Sequence, residues 1–195
     1  SSRYYPGRED LVHMRNSLSS ELDVLRPSML ESGLEVIRYN INRQQPGLAL
    51  FEQGKVYMQH NGQYQESPVL ALWVTGELAP AQWNRKPVTA DIFYLKGVVR
   101  HLLDADDIRS VTEVYDQDTM KVEWKWKQKT IASATAVDPA VLQQFDLKQD
   151  VYFAIIDWPV WVQAVSAVKV RYKGIPKFPA VHRDLAVVLD KGVTY

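Results

Sequence analysis

Met120-Lys-Val-Glu-Trp-Lys-Trp-Lys127 alternates without a break, with Met120, Val122, Trp124 and Trp126 on one side and Lys121, Glu123, Lys125 and Lys127 on the other. A period of two belongs to an extended strand with one dry face and one wet face. The same residues hint at nucleic acid, because aromatic rings beside lysines can hold single strands. Alternation, however, sends rings and cations to opposite faces, whereas stacking on a base with a phosphate contact needs them together. Packing on a core is therefore the favoured reading of Trp124 and Trp126, and a stand-alone nucleic-acid-binding module is the alternative.

Outward from this strand, periods of two and of 3.6 are interspersed. Leu30, Leu34, Ile37 and Ile41 recur at helical spacing after Pro27, a residue suited to a first turn, and predict a helix to about Arg43. Gly33 inside it costs about 1 kcal/mol against alanine, which points to a close approach there. Leu48 to Met58 reads as a strand, Asn61-Gly62 as a hairpin turn, and Val69 to Thr75 as the returning strand. Asp91 to Leu103 carries Ile92, Leu95, Val99 and Leu102 on one helical face. Asp138-Pro139 opens a short helix to about Phe145, Val151 to Asp157 is a buried-type strand, and Pro159 opens another short helix. Short strands are also expected at Leu11 to Met14 and at Val168 to Tyr172. Without βαβ regularity, the pattern gives an α+β fold with a mostly antiparallel sheet flanked by helices.

Composition narrows the function classes. A chain of 195 residues buries about 70% of its unfolded surface and needs no staples. With no cysteine there are no disulfides and no thiolate metal sites, in keeping with a reducing compartment. No apolar run approaches the roughly 20 residues of a membrane span, so no membrane partner is expected. Twenty-three basic and 23 acidic residues leave no global field for a polyanion. His13, His60, His101 and His182 lack metal-ligand spacing. Asp104-Ala-Asp-Asp107 lacks the glycine and glutamate of a calcium loop and reads as a solvated turn. His182-Arg183-Asp184-Leu185 looks like the start of a kinase catalytic loop, but Leu189 stands where the metal-holding asparagine is needed. Trp158 and Trp161 beside Pro159 fit either a partner patch or local packing.

Four blocks, in order, are similar to the beta subunit of the phenylalanyl-tRNA synthetase family. They are Asn16-Ser-Leu-Ser-Ser-Glu-Leu-Asp-Val-Leu-Arg-Pro-Ser-Met-Leu30 running on to Arg38-Tyr-Asn-Ile-Asn-Arg43, Leu48-Ala-Leu-Phe-Glu-Gln-Gly-Lys-Val-Tyr57, Asp91-Ile-Phe-Tyr-Leu-Lys-Gly-Val-Val-Arg100, and Lys177-Phe-Pro-Ala-Val-His-Arg-Asp-Leu-Ala-Val-Val-Leu-Asp190. The family's usual His-Pro-Gly run and later Gly-Glu-x-His-Pro turn are replaced here by Lys121 to Lys129 and Ala134 to Pro139, with Pro139 alone in register.

The resemblance implies a C-terminal fragment of that subunit. Residues 1–173 would form a class II synthetase-like module, and 174–195 a linker with the start of the anticodon-binding domain. Active class II domains use a strand-borne Phe-Arg-x-Glu, whose arginine holds the ATP alpha-phosphate, and a Gly-rich strand-helix segment with a second arginine. Leu50-Phe51-Glu52-Gln53-Gly54 places an acid where the arginine belongs, and the Gly-rich segment is missing. The resemblance therefore implies no catalytic, cofactor or metal residue in this segment, ATP and magnesium being needed only by the holoenzyme. It implies pairing with the alpha subunit in an assembly of two alpha and two beta chains, tRNA contact through other domains, and a cytoplasmic setting. The subunit interface would draw on Leu22, Leu25, Arg26, Leu30, Leu34, Ile37 and Ile41. Without its partner the module is expected to self-associate.

Overall fold

Val69-Leu-Ala-Leu-Trp-Val74 carries no polar alternation, as expected of a strand covered on both faces. The computed structural model, which describes residues 2–17, 19, 22–169, 183–186 and 188, places it second in a six-stranded sheet, paired on both sides. Six strands run in the order β1 (Leu48–His60), β2 (Gln63–Thr75), β8 (Val151–Asp157), β7 (Lys129–Ala136), β6 (Lys121–Trp126) and β5 (Val111–Asp116). Every pairing is antiparallel. A separate two-stranded flap is made of β3 (Glu77–Ala79) and β4 (Val88–Thr89).

Four helices cover the sheet: α1 (Leu30–Ile41), α2 (Ile92–Ala105), α3 (Pro139–Gln144) and α4 (Trp158–Ser166). Leu72, Val74, Trp124, Ala154 and Ile156 pack against α2 and α4 on one face. Val69, Ala71, Trp73 and Val151 pack against α1 and α3 on the other. Successive residues of β2 thus enter different cores. Side-chain caps start three of the helices, with Asp91 accepting from Tyr94 N–H, Asp138 from Ala140 N–H, and Asp157 from Val160 N–H.

Gly33 is where α1 meets the sheet. A Cβ there would lie 2.1 Å from Cε2 of the Trp73 indole, so only hydrogen lets the helix rest on the ring. A second lock sits at the end of the sheet. The buried Thr75 hydroxyl donates to Asp150 O at 2.6 Å and accepts from Gln149 Nε2 at 2.7 Å, and that same amide donates to Pro46 O at 2.7 Å.

Several elements differ from the sequence expectation. Leu11 to Met14 contributes only an isolated bridge, His13 to Val24, held by Leu25 N–H to Val12 O and Met14 N–H to Asp23 O. The helix begins at Leu30 rather than Pro27, and β2 begins at Gln63, six residues before the predicted strand. Strands β5 and β7 were not foreseen. The β6–β7 turn uses Lys127 (φ 46°) and Gln128 (φ 68°), the left-handed geometry for which Asn61 (φ 49°) and Gly62 (φ 77°) are the readable signal. Val168 and Lys169 are not in a strand. Residues 170–173, His182, and most of 174–195 with its domain boundary lie outside the described residues.

Replacing Gly33 with alanine improves helix propensity by about 1 kcal/mol but drives a methyl group into the indole. We expect a net loss of roughly 1–3 kcal/mol in chemical denaturation with the m-value unchanged. An unchanged midpoint would mean that Trp73 can step aside.

Candidate functional site

Glu52, the residue at the expected phosphate-arginine position, lies on the α1 side of β1 opposite Ala71. Arg26 reaches across it: Nη1 donates to Glu52 Oε1 at 2.7 Å and Nε donates to Lys55 O at 2.9 Å. The backbone carbonyl of Arg26 also accepts from Tyr57 N–H at 2.9 Å. Gly54 makes the crossing possible, since a Cβ there would come within 2.2 Å of Arg26 Nη2 and 2.9 Å of Met29 Cε. The guanidinium is thus committed to a carboxylate and a carbonyl, and Met29 fills the space beside it. Both charged side chains remain partly exposed, so the pair contributes at most about 1 kcal/mol. Its consequence is electrostatic: the cation nearest the expected phosphate position is already neutralised.

Beside Arg26 opens a cavity of about 350 Å³ lined by Tyr4, Tyr5, Ser28, Glu31 and Glu35 among others. Tyr4 donates to Glu35 Oε1 at 2.9 Å. The Tyr5 phenol is held well above its ordinary range, first by burial and then by the Glu31 carboxylate next to it. Glu31 and Glu35 in the wall are balanced by Arg3 and Arg26, so the cavity offers no net positive charge to a polyphosphate.

The residues expected at a subunit interface occupy different surroundings. Leu34 and Ile37 are fully buried in this chain's own core. Leu30 and Ile41 are partly buried against that core, Leu25 is partly buried, Arg26 forms the clamp just described, and Leu22 is exposed. The apolar stripe of α1 is therefore spent on the home sheet, and the outer side of the helix carries Val36 (48% exposed) and Tyr39 (56%). Phe51 on β1 is 77% exposed.

On β6 the core reading holds. Trp124 is fully buried, its Nε1 donating to Glu113 Oε2 at 3.0 Å, and Trp126 and Val122 are buried with it. Met120 remains exposed at the strand's edge. Lys121 and Lys125 pair with Glu123, whereas Lys127, just past the strand, lies over the Trp126 ring, 4.3 Å from its centroid. Trp161 is also core, its Nε1 donating to Asp106 Oδ2 at 2.7 Å, with Trp158 packed partly buried nearby. The other carboxylates of that aspartate run pair with Arg100 and Arg109. Among the described residues no group of three or more His, Asp or Glu is arranged to hold a metal ion. No helix among them is long and apolar enough to cross a membrane.

The feature that sequence reasoning passed over is Trp83, 97% exposed between β3 and β4. Its stretch, Ala81 to Pro87, reads as an ordinary loop, and nothing in periodicity distinguishes a tryptophan facing water from one covered by a neighbouring strand.

Residues 4–158 match the family described as the phenylalanyl tRNA synthetase beta chain CLM domain. A phenylalanine–tRNA ligase beta subunit of Bacteroides thetaiotaomicron is 34% identical over 98% of this chain and 26% of its own length. One from Thermotoga maritima is 30% identical over 93% of this chain and 23% of its own. The chain thus spans about a quarter of the length of the curated relatives it matches. A pyrrolysyl tRNA synthetase of Desulfitobacterium hafniense shares the fold at 16% identity, with a TM-score of 0.60 over 79% of this chain and 52% of that one.

The Tyr5 environment predicts a pH dependence. Its folded-state phenol titrates above the unfolded value of about 10, so its contribution is complete below that pH and is lost as the pH rises beyond it. Denaturation midpoints measured across the alkaline range should fall less steeply for Tyr5→Phe than for the native chain. Parallel curves would place the alkaline loss elsewhere.

Proposed function

The chain belongs to the phenylalanyl-tRNA synthetase beta chain CLM-domain family, and we propose that it acts there as a structural, non-catalytic module. It pairs with the catalytic alpha subunit in an assembly of two alpha and two beta chains that charges tRNA with phenylalanine at the expense of ATP, in the cytoplasm. The observation that carries the non-catalytic reading is the Arg26–Glu52 clamp across β1. An active class II strand needs a free guanidinium at this position to offset phosphate charge in the ground and transition states. Here the position holds a carboxylate, and the neighbouring guanidinium is already bound to it. The α4 segment that follows β8 supports the same reading, since Trp158–Ser166 contains no arginine or lysine for a second phosphate contact.

A module without chemistry contributes surface and orientation. The surface available is the outer side of α1, Val36 and Tyr39, continued by exposed Leu22 and half-buried Leu30 at its margins. Leu34 and Ile37 hold the helix to its own sheet, so they support the interface from beneath. Obligate interfaces of this sort bury about 2,000–5,000 Å² in total. Uncovered, the apolar positions on α1 favour self-association of the isolated chain. The linker and the start of an anticodon-binding domain in residues 174–195 belong to the same proposal, with tRNA contact left to other parts of the holoenzyme.

Two measurements test this. Co-expression with an alpha subunit from the same source should yield a stoichiometric complex, and the chain alone should not aminoacylate. ATP with magnesium should leave the thermal midpoint of the chain unchanged, because a ligand that binds only the folded state must raise it. An ATP-dependent rise would overturn the inert reading. Failure to recover any complex would overturn the pairing.

A further inference from the structure

Trp83 stands on a turn closed from both sides. Gln82 N–H donates to Arg85 O at 2.9 Å, and Arg85 N–H donates to Gln82 O at 3.1 Å. The ring is therefore carried by a fixed backbone with only two side-chain torsions left to order, which keeps the entropic cost of docking small. Turn geometry does not call for an indole. Asn, Gly and Asp serve such positions, and a tryptophan in water forgoes roughly 25 cal/mol for each Å² it could bury.

The charges around the ring point the same way. Residues 81–87 are exposed throughout, and Arg85 and Lys86 have no ion-pair partner among the described residues. Asp91, the next acid along the chain, is occupied as the cap of α2. The turn offers one large apolar knob followed by two unspent positive charges. Its flap is rooted beside the C-terminal end of α1, where Gly47 approaches Glu77 O so closely that a Cβ would lie 1.8 Å away. The root of the flap thus lies against the segment that leaves α1, the helix whose outer side carries Val36 and Tyr39.

We infer that Trp83 is an anchor that enters an apolar slot on the partner protein chain, with Arg85 and Lys86 meeting carboxylates on the rim of that slot. This rests on the reading of the chain as a pairing module and names the residue on which the pairing turns. Tryptophan and arginine dominate the few positions that carry most of the energy of protein interfaces, and rim charges set association rate and salt dependence.

The test uses the intact complex with the alpha subunit. Trp83→Ala should raise Kd about 30-fold or more, chiefly through faster dissociation, with Trp83→Phe between it and the native chain. The double substitution Arg85→Ala with Lys86→Ala should slow association and flatten its salt dependence. All these side chains are exposed, so the thermal midpoint of the uncomplexed chain should not move, which separates a lost anchor from a lost fold. Should the native chain fail to bind the alpha subunit at all, the pairing reading falls and the anchor falls with it. Should the native chain bind and Trp83→Ala bind equally well, the anchor alone is overturned. Unchanged alpha-subunit affinity together with loss of fluorescence quenching by a single-stranded oligouridylate would reassign the ring to base stacking and equally overturn it.

Discussion

The direct seat of α1 on the Trp73 indole, permitted by the missing side chain at Gly33, is the contact from which the rest of this face follows. It fixes the depth at which Leu34 and Ile37 enter the core beside Met29 and Phe145. It also brings the segment before α1 close to β1, so that Arg26 can cross above Gly54 and bind Glu52. A helix raised by even a methyl group would lose both, since interiors packed at crystal density transmit such displacements instead of absorbing them. The side of β1 around Glu52 is here filled by Met29 and paired with Arg26, in packing that begins at one glycine.

The architecture and the charge carried at position 52 are separable. The sheet order, the antiparallel pairing and the helices on both faces do not depend on the residue at position 52. The electrostatics of that face do, because a guanidinium and a carboxylate at one place act on an anion with opposite sign. The likeness to a pyrrolysyl tRNA synthetase at 16% identity illustrates how far the architecture outlasts the residues. This chain has two well-filled cores and an outer surface carrying exposed aromatics at Phe51, Tyr39 and Trp83.

Much of this was legible in the sequence. The bounds of β8 match Val151 to Asp157 at both ends, the cap at Asp138 stands where expected, and the penalty at Gly33 correctly signalled a close approach. The alternation around Trp124 correctly placed the rings in the core, although Lys127, turned out of the strand at φ 46°, comes over the Trp126 ring instead of facing away from it. The unforeseen strands have a physical explanation. The turn joining β6 to β7 achieves left-handed geometry with Lys127 and Gln128, residues that advertise nothing, and Asp116 organises the β5–β6 turn by accepting from Asp118 N–H and from the Thr119 hydroxyl. The stripe on α1 was read correctly as one apolar face, yet periodicity is blind to whether such a face meets the home sheet or a neighbour. Trp83 was invisible for the complementary reason: exposure of a lone aromatic in a loop leaves no pattern.

The amide of Gln149 has a role that extends beyond local bonding. It joins Pro46 and Thr75, partners 103 and 74 residues away in the chain. That single group closes only when the exit from α1, the end of β2 and the approach to β8 have all arrived, so it reports on the threading of the whole sheet rather than on any one hairpin. It also makes the assembly stiff in a particular direction. A load applied to α1 by a large neighbour would reach β1 along the chain through Pro46 and Gly47, and the Gln149 amide would share it with the end of β2 and the approach to β8 instead of leaving the edge strand to bear it alone.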